Sequence, residues 1–262
     1  MEKRKIFASG KVTPVKNYLL ILFLGGLISW VSSCKLENNI STRTRNMETP
    51  SKLLSRILEL NESRISTSEQ LMLVTNNSIH SKDVIIETFE KMNGHWMIKF
   101  AEIQGTIGGN GFSPFHLKRE GDNTSPTGIF ELGPVFGYAE HVSTSMEYRQ
   151  ATDHDFWIDD PKSDDYNKWV TSETPPAVSH ERMKLKSDLY KLGVVVQYNT
   201  KQVVKGNGSA IFVHIQRKPG SPTAGCVAMS ESNLESIIQW LRPDRKPLII
   251  MGTCAELRQI KM

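Results

Sequence analysis

Apolar residues gather mostly in short β-type runs along this chain, and helical spacing is confined to two places. Gln70-Leu-Met-Leu-Val-Thr75 and Val84-Ile-Ile-Glu-Thr-Phe-Glu-Lys91 read as strands, separated by the turn signal Asn76-Asn77-Ser78. Asn93-Gly94 is a strong hairpin signal, which makes His95-Trp-Met-Ile-Lys-Phe100 the returning strand. Ile129-Phe-Glu-Leu132, Leu189 to Asn199 and Pro247-Leu-Ile-Ile-Met-Gly252 are further strands. Ala210 to Val213 is a short buried one that delivers His214 at its end. Helical spacing appears at Leu53, Leu54, Ile57 and Leu58, and at Leu234, Ile237, Ile238 and Leu241. Ser230 is placed to N-cap the second helix and Pro243 to end it. The pattern predicts a β-rich fold, mainly β with a few helices. Residues 151–207 read as an irregular aromatic and acidic insertion before the strand near 190, with Trp157, Tyr166 and Trp169 packing it onto the sheet.

The first residues follow another logic. Residues 1–17 are basic and residues 18–31 apolar, and Ser32-Ser33-Cys34 follows. The apolar run is shorter than the ~20 residues of a spanning helix and fits the core of a secretory signal. Val31-Ser-Ser-Cys34 resembles the bacterial lipobox, in which the cysteine is lipidated and becomes the mature N-terminus. That implies Cys34 as the lipidation site, a membrane partner through a lipid anchor, and residence in the periplasm. Lys35 in place of Asp implies the outer membrane. An uncleaved anchor and an ordinary signal peptide are the alternatives. Three segments result: a lipoprotein-type signal peptide over 1–34, a polar linker with a short helix over 35–68, and a globular domain over 69–262. The net charge is +4 in 262 residues, and part of it sits in Lys3, Arg4, Lys5, Lys11, Lys16, Arg43 and Arg45. The folded part is near neutral, which argues against a dedicated nucleic-acid binder.

Several chemistries fail on their motifs. Gly105-Thr-Ile-Gly-Gly-Asn-Gly111 lacks the Gly-Lys-Ser/Thr ending of a phosphate loop, so its glycines serve tight turns or close backbone approach. His180-Glu181-Arg-Met-Lys184 lacks the second histidine of a zinc-protease helix, and no CxxC pair exists. No metal and no organic cofactor is called for. Lys118, Asp122 and Thr127 either line a cleft or belong to a solvated turn. His214 and Cys226 lie 12 positions apart across the turn-rich loop Pro219 to Pro222. A thiol and an imidazole brought together are the minimum for a thiolate nucleophile and its base. The backbone N–H groups of Gly225 and Cys226 are candidate oxyanion donors, and Gly225 leaves room for substrate to approach. Spacing alone leaves a second reading open, a buried Cys behind a strand-end His.

The stretch Thr223-Ala-Gly-Cys-Val-Ala-Met229 resembles a branch of the L,D-transpeptidase (YkuD-type) catalytic domain family. So do Glu120-Gly-Asp122, Pro126-Thr-Gly-Ile-Phe130, Trp157-Ile-Asp-Asp-Pro161, Tyr166-Asn167 and Gly208-Ser-Ala-Ile-Phe212. The resemblance spans about residues 70–252. It implies a YkuD-like mixed β-sandwich carrying a catalytic Cys loop, with Cys226 as nucleophile and His214 as base. It implies peptidoglycan stem peptides as partners: the enzyme attacks a bond after a diamino acid, releases D-Ala and passes the acyl group to an amine. With water as acceptor the protein would be an L,D-carboxypeptidase or amidase; a non-catalytic peptidoglycan-binding lipoprotein is a rival of another class. A monomer is expected. Ala224 and Ala228 stand where the commoner family motif has His and Arg. Arg217 or Lys218 is then a candidate for the missing positive charge, and Thr223 a second candidate for contacting substrate. Cys254 is either a spare thiol or a partner for Cys226.

Overall fold

Strands with a continuous apolar run of four residues must be covered on both faces, and two such strands organise this molecule. The structure is a computed structural model that describes residues 52–114 and 116–259. Cys34, the signal segment and the first half of the linker lie outside the described residues. The chain runs α1 (Lys52–Leu60), α2 (Glu62–Ile65), β1 (Gln70–Asn76), β2 (Asp83–Met92), β3 (His95–Thr106), β4 (Phe112–Pro114) and β5 (Ser125–Gly137). It continues through β6 (Tyr148–Gln150), β7 (Asp155–Ile158), β8 (Trp169–Thr171), β9 (His180–Arg182) and β10 (Leu192–Val196). β11 (Phe212–Ile215), β12 (Val227–Met229), α3 (Glu231–Trp240), β13 (Leu248–Thr253) and α4 (Cys254–Leu257) complete it. The chain is β-rich, as expected, and its helices are short.

β1 and β13 pair in parallel at the centre. Their residues alternate between two cores, as period two requires. Met72, Val74, Ile249 and Met251 join the main core with Leu234, Ile237 and Ile238 of α3. Leu71, Leu73, Leu248 and Ile250 face the other way, onto Leu54 and Ile57 of α1. The helix expected in the linker is therefore packed against the sheet and shares its core. Each fully buried aliphatic side chain contributes about 1.5–3 kcal/mol relative to exposure. Antiparallel and parallel neighbours extend the sheet in the order β10-β11-β12-β3-β2-β1-β13-β5. β10 also pairs with β5, so the sheet closes on itself.

Several local expectations hold for local reasons. Asn93 and Gly94 both have positive φ (50° and 80°), the conformation of a tight hairpin turn. The Ser230 hydroxyl accepts from the Asn233 N–H at 3.4 Å and caps α3. Two expectations need correction. Pro126 to Gly128, ahead of the strand read from Ile129, already lie inside β5. Pro126 is tolerated there because β5 pairs with β13 only from Gly128 onward. The 151–207 insertion has its own three-stranded sheet, β8-β7-β9. Its strands of three or four residues are too short to show a period.

The insertion packs on the outer face of the barrel beside β10 and β11, as its aromatics foretell. The Trp157 ring meets Phe212 edge-on at 5.0 Å, and Trp169 meets Phe136 at 5.9 Å. Asp155 anchors it further. Burial pushes this carboxyl up, but hydrogen bonds from Thr171, Trp169 and Thr152 outweigh that and hold it at about 2. Asn167 joins the insertion to the chain ahead of β11. Its amide oxygen accepts from Trp157 Nε1 at 2.9 Å and from the Ala210 N–H at 3.1 Å. Its amide nitrogen donates to the Tyr198 and Asn199 carbonyls at 3.0 and 2.7 Å. It does this from a left-handed backbone, φ 61°, which asparagine tolerates better than most residues. Asn167→Ala should destabilise the protein by about 3–5 kcal/mol, because it orphans buried groups and puts a Cβ-only residue at positive φ. Urea unfolding measures this; a loss under 1 kcal/mol would show that the network carries no stability.

Candidate active site

The parallel ladder β11–β12 sets the two reactive side chains on one face. Val213 pairs with Val227 and His214 with Ala228. Val213, Ile215, Val227 and Met229 enter the main core. Phe212 and Cys226 belong to the cluster under the insertion, on the opposite face. His214 is two residues beyond Phe212, so alternation puts it on the same face as Cys226. Cys226 sits one step diagonally from His214, roughly 8 Å between Cα atoms from strand spacing and rise. Both side chains line one cleft of about 740 Å³.

The loop before Cys226 is fixed by the glycine-rich turn after β3. Gly109 N–H donates to the Thr223 carbonyl at 3.0 Å, and Thr223 N–H to the Ile107 carbonyl at 3.0 Å. The Thr106 hydroxyl donates to the Ser221 carbonyl at 2.7 Å. The Ser125 hydroxyl donates to the Gly225 carbonyl at 2.5 Å and accepts from the Gly108 N–H at 3.0 Å. A Cβ on Gly108 would lie 2.4 Å from the Asn123 carbonyl oxygen, so close backbone approach is what this run provides. Gly225 answers a similar need. Its φ is +153°, and a Cβ there would lie 2.9 Å from the Thr124 carbonyl oxygen. The missing side chain makes room for the protein's own backbone; it was expected to make room for substrate.

At rest Cys226 is a thiol. Its Sγ–H donates to the Ala210 carbonyl at 3.3 Å, and Sγ accepts the Phe212 N–H at 3.3 Å. Ala210 itself holds a left-handed φ of 53°, a strained geometry for alanine that turns this carbonyl to the sulfur. Burial pushes the Cys226 thiol up to about 12, with Glu181 adding to the rise. The Phe212 N–H and Lys118 work in the opposite direction. Burial, with a smaller push from the Arg217 charge, lowers His214 to about 4 against the bond to the Ile215 carbonyl, which raises it. Nδ1 of His214 lies 2.8 Å from the Ile215 carbonyl. A carbonyl only accepts, so Nδ1 carries the proton and Nε2 keeps its lone pair. That is the tautomer a general base requires. No hydrogen bond joins His214 to Cys226.

The remaining candidates separate. Arg217 is exposed at the cleft, and no hydrogen bond or ion pair engages it among the described residues. Lys118 lines the cleft, but its ammonium is held by Asp122 at 2.7 Å and the Arg119 carbonyl at 2.8 Å. Thr127 lines a different cavity of about 750 Å³. Thr223 reaches the cleft, yet its hydroxyl donates to the Cys226 carbonyl at 2.7 Å and accepts the Gly225 N–H at 3.1 Å. It braces the loop instead of waiting for substrate. The same bond occupies the Gly225 N–H expected as an oxyanion donor. Cys254 opens α4 and packs in the α1 cluster, and both described cysteines are free thiols.

Sequence reasoning missed Glu181 and Tyr190. Glu181 was weighed only as part of a failed zinc motif; its position opposite Trp157 in the β7–β9 ladder brings it to the cleft. The Tyr190 hydroxyl donates to Glu181 Oε2 at 2.5 Å, and its ring stands edge-on to His214 at 5.4 Å. A second group was legible only as motif residues: the Tyr166 hydroxyl donates to Glu120, which also accepts from Ser209 Oγ at 2.7 Å.

Residues 65–250 match the YkuD family, described as the L,D-transpeptidase catalytic domain. No curated protein matches the chain. A solved structure titled "Structure of Bdellovibrio bacteriovorus Bd1075" is similar at 14% identity and a TM-score of 0.39, covering 71% of this chain. The match covers 48% of that structure's chain, about half its length.

The resting electrostatics predict how the thiol reacts without substrate. Cys226 should alkylate slowly with iodoacetamide at pH 7, and the rate should climb about tenfold per pH unit towards pH 10, following the thiolate fraction. Glu181→Gln removes a negative neighbour and should move that rise to lower pH. Peptide mass mapping separates Cys226 from Cys254. A rate already on its plateau at pH 7 would contradict a protonated resting thiol.

Proposed function

The chain belongs to the YkuD family of L,D-transpeptidase catalytic domains, and we propose that within it the chain is a peptidoglycan-modifying cysteine acyltransferase. The family acts on peptidoglycan in the L,D-transpeptidase manner. The observation that carries the finer reading is the shared cleft: a thiol held by backbone groups, and an imidazole whose Nε2 is unprotonated, on one face of adjacent strands. Both groups are neutral at pH 7, so the proton leaves sulfur in step with attack.

Cys226 Sγ forms a bond to the scissile carbonyl carbon while its proton passes to His214 Nε2. The carbonyl oxygen becomes an oxyanion. With the Gly225 N–H occupied, the Cys226 N–H is the donor of that pair left for it. A preorganised donor of this kind contributes about 3–4 kcal/mol. The C–N bond then breaks, and His214 returns the proton to the leaving amine, giving a thioester on Cys226. An acceptor amine adds to the thioester, loses a proton to His214, and the C–S bond breaks to regenerate the thiol. Arg217 is the free cation at the cleft and receives a carboxylate of the stem peptide. The lipobox-like Val31–Cys34 supports an envelope setting, with Cys34 lipidated and the domain facing the periplasm.

Product analysis on tetrapeptide muropeptides tests the reading. Wild type should yield crosslinked dimer; tripeptide alone would make the protein a carboxypeptidase, and no product would refute catalysis. Cys226→Ala should abolish turnover. Arg217→Ala should raise KM about 2- to 5-fold, the effect of losing an exposed ion pair of roughly 0.5–1 kcal/mol. An unchanged KM would remove Arg217 from the binding site.

A further inference from the structure

Glu181 has a setting that the chemistry above does not use. It lines the same cleft as Cys226, on the wall built by β9. Its side chain is enclosed by the insertion yet open to the cavity. Burial pushes its carboxyl up, and Asp159 and Glu120 push the same way. Its hydrogen-bond partner is the Tyr190 hydroxyl on Oε2, which leaves Oε1 free. Among the described residues no cation pairs with Glu181, Asp159 or Glu120. Lys118, the lysine in the cleft, is engaged by Asp122. Arg182, next along β9, stands over the Phe156 ring at 5.2 Å. Asp159 lines the cleft as well, and its Oδ1 is buried with no partner at all.

An unpaired carboxylate in a desolvated wall is unfavourable, and beside a thiol nucleophile it is doubly so, because it opposes the thiolate. Both penalties disappear if the ligand brings a positive charge. Resting on the acyltransferase reading, we propose that Glu181 is a specificity-determining residue: oriented by Tyr190, its carboxylate pairs with an ammonium group of the acyl donor and selects stem peptides bearing a free amine near the scissile bond. Asp159, whose buried Oδ1 has no partner behind the same wall, adds to the negative field that an ammonium there would meet. Tyr190 is a positioning residue, since its hydroxyl fixes the carboxylate and its ring bears on His214. Pairing also cancels the negative potential on Cys226, so the correct donor eases ionisation of the nucleophile that attacks it.

The test compares two tetrapeptide donors that differ only in whether the side-chain amine is free or N-acetylated. Wild type and Glu181→Gln are each measured for kcat/KM on both. Glutamine keeps an oxygen to accept from Tyr190, and a thermal melt confirms that the variant folds. Wild type should prefer the free amine by about tenfold or more, the effect of one desolvated charge pair. The variant's preference should fall to twofold or less. A variant that discriminates as well as wild type overturns the role of Glu181. A wild type that uses both donors equally also overturns it, and leaves the acyltransferase reading standing. A wild type that turns over neither donor takes down both.

Discussion

The position of the nucleophile depends on one asparagine that is nowhere near it in sequence. Asn167 satisfies all four of its hydrogen-bonding capacities internally, with two acceptor and two donor contacts. Two of those contacts tie the insertion to the strand exit at Tyr198 and Asn199. A third holds the Ala210 N–H, and Ala210 in turn offers its carbonyl to the thiol. A buried amide with every partner in place is rigid, because any displacement leaves polar groups unpaired in a low dielectric. The strained φ at Ala210 persists because Asn167 on one side and Cys226 on the other over-determine it.

This arrangement holds the nucleophile in reserve. Sulfur in a tight apolar setting keeps its proton, and a buried imidazole stays neutral. Adjacent strands place the two residues on one face, but the diagonal register keeps them from bonding at rest. The free enzyme therefore carries no exposed thiolate, which limits adventitious oxidation of the cysteine. Under the proposed mechanism, reactivity arrives with a substrate that fills the cleft and excludes water.

Much of the fold could be read along the chain. β1, β2, β13, the Asn93-Gly94 hairpin and α3 are long or sharply punctuated, so period and turn chemistry decide them locally. β7, β8 and β9 could not be read, because three or four residues do not define a period. The closure of β10 on β5 depends on pairing partners far apart in sequence, which no local pattern reports. The site divided in the same way. His214 and Cys226 follow from residue type and spacing around one loop. Glu181 belongs to the cleft through the pairing of β7 with β9, a long-range fact. Gly225 and Thr223 were legible as special but misread, since only the folded loop shows that Thr124 crowds Gly225 and that Thr223 bonds within its own turn.

One departure from the commoner family motif, Ala228, bears on the site through the register of its strands. Ala228 pairs directly with His214 across β11 and β12. An arginine there would share a face with the imidazole, and its charge would push His214 below even its present value. It would also need space on a wall where Tyr190 already stands edge-on to His214. Alanine at 228 leaves that space to the Tyr190–Glu181 pair, and the cation that lowers His214 is the exposed Arg217. The positive charge thus lies on the exposed rim of the cleft and the negative charge on its enclosed wall. Under the proposed function, a substrate carrying both a carboxylate and an ammonium meets the two in one orientation, and alanine at 228 sets which end of it the wall holds.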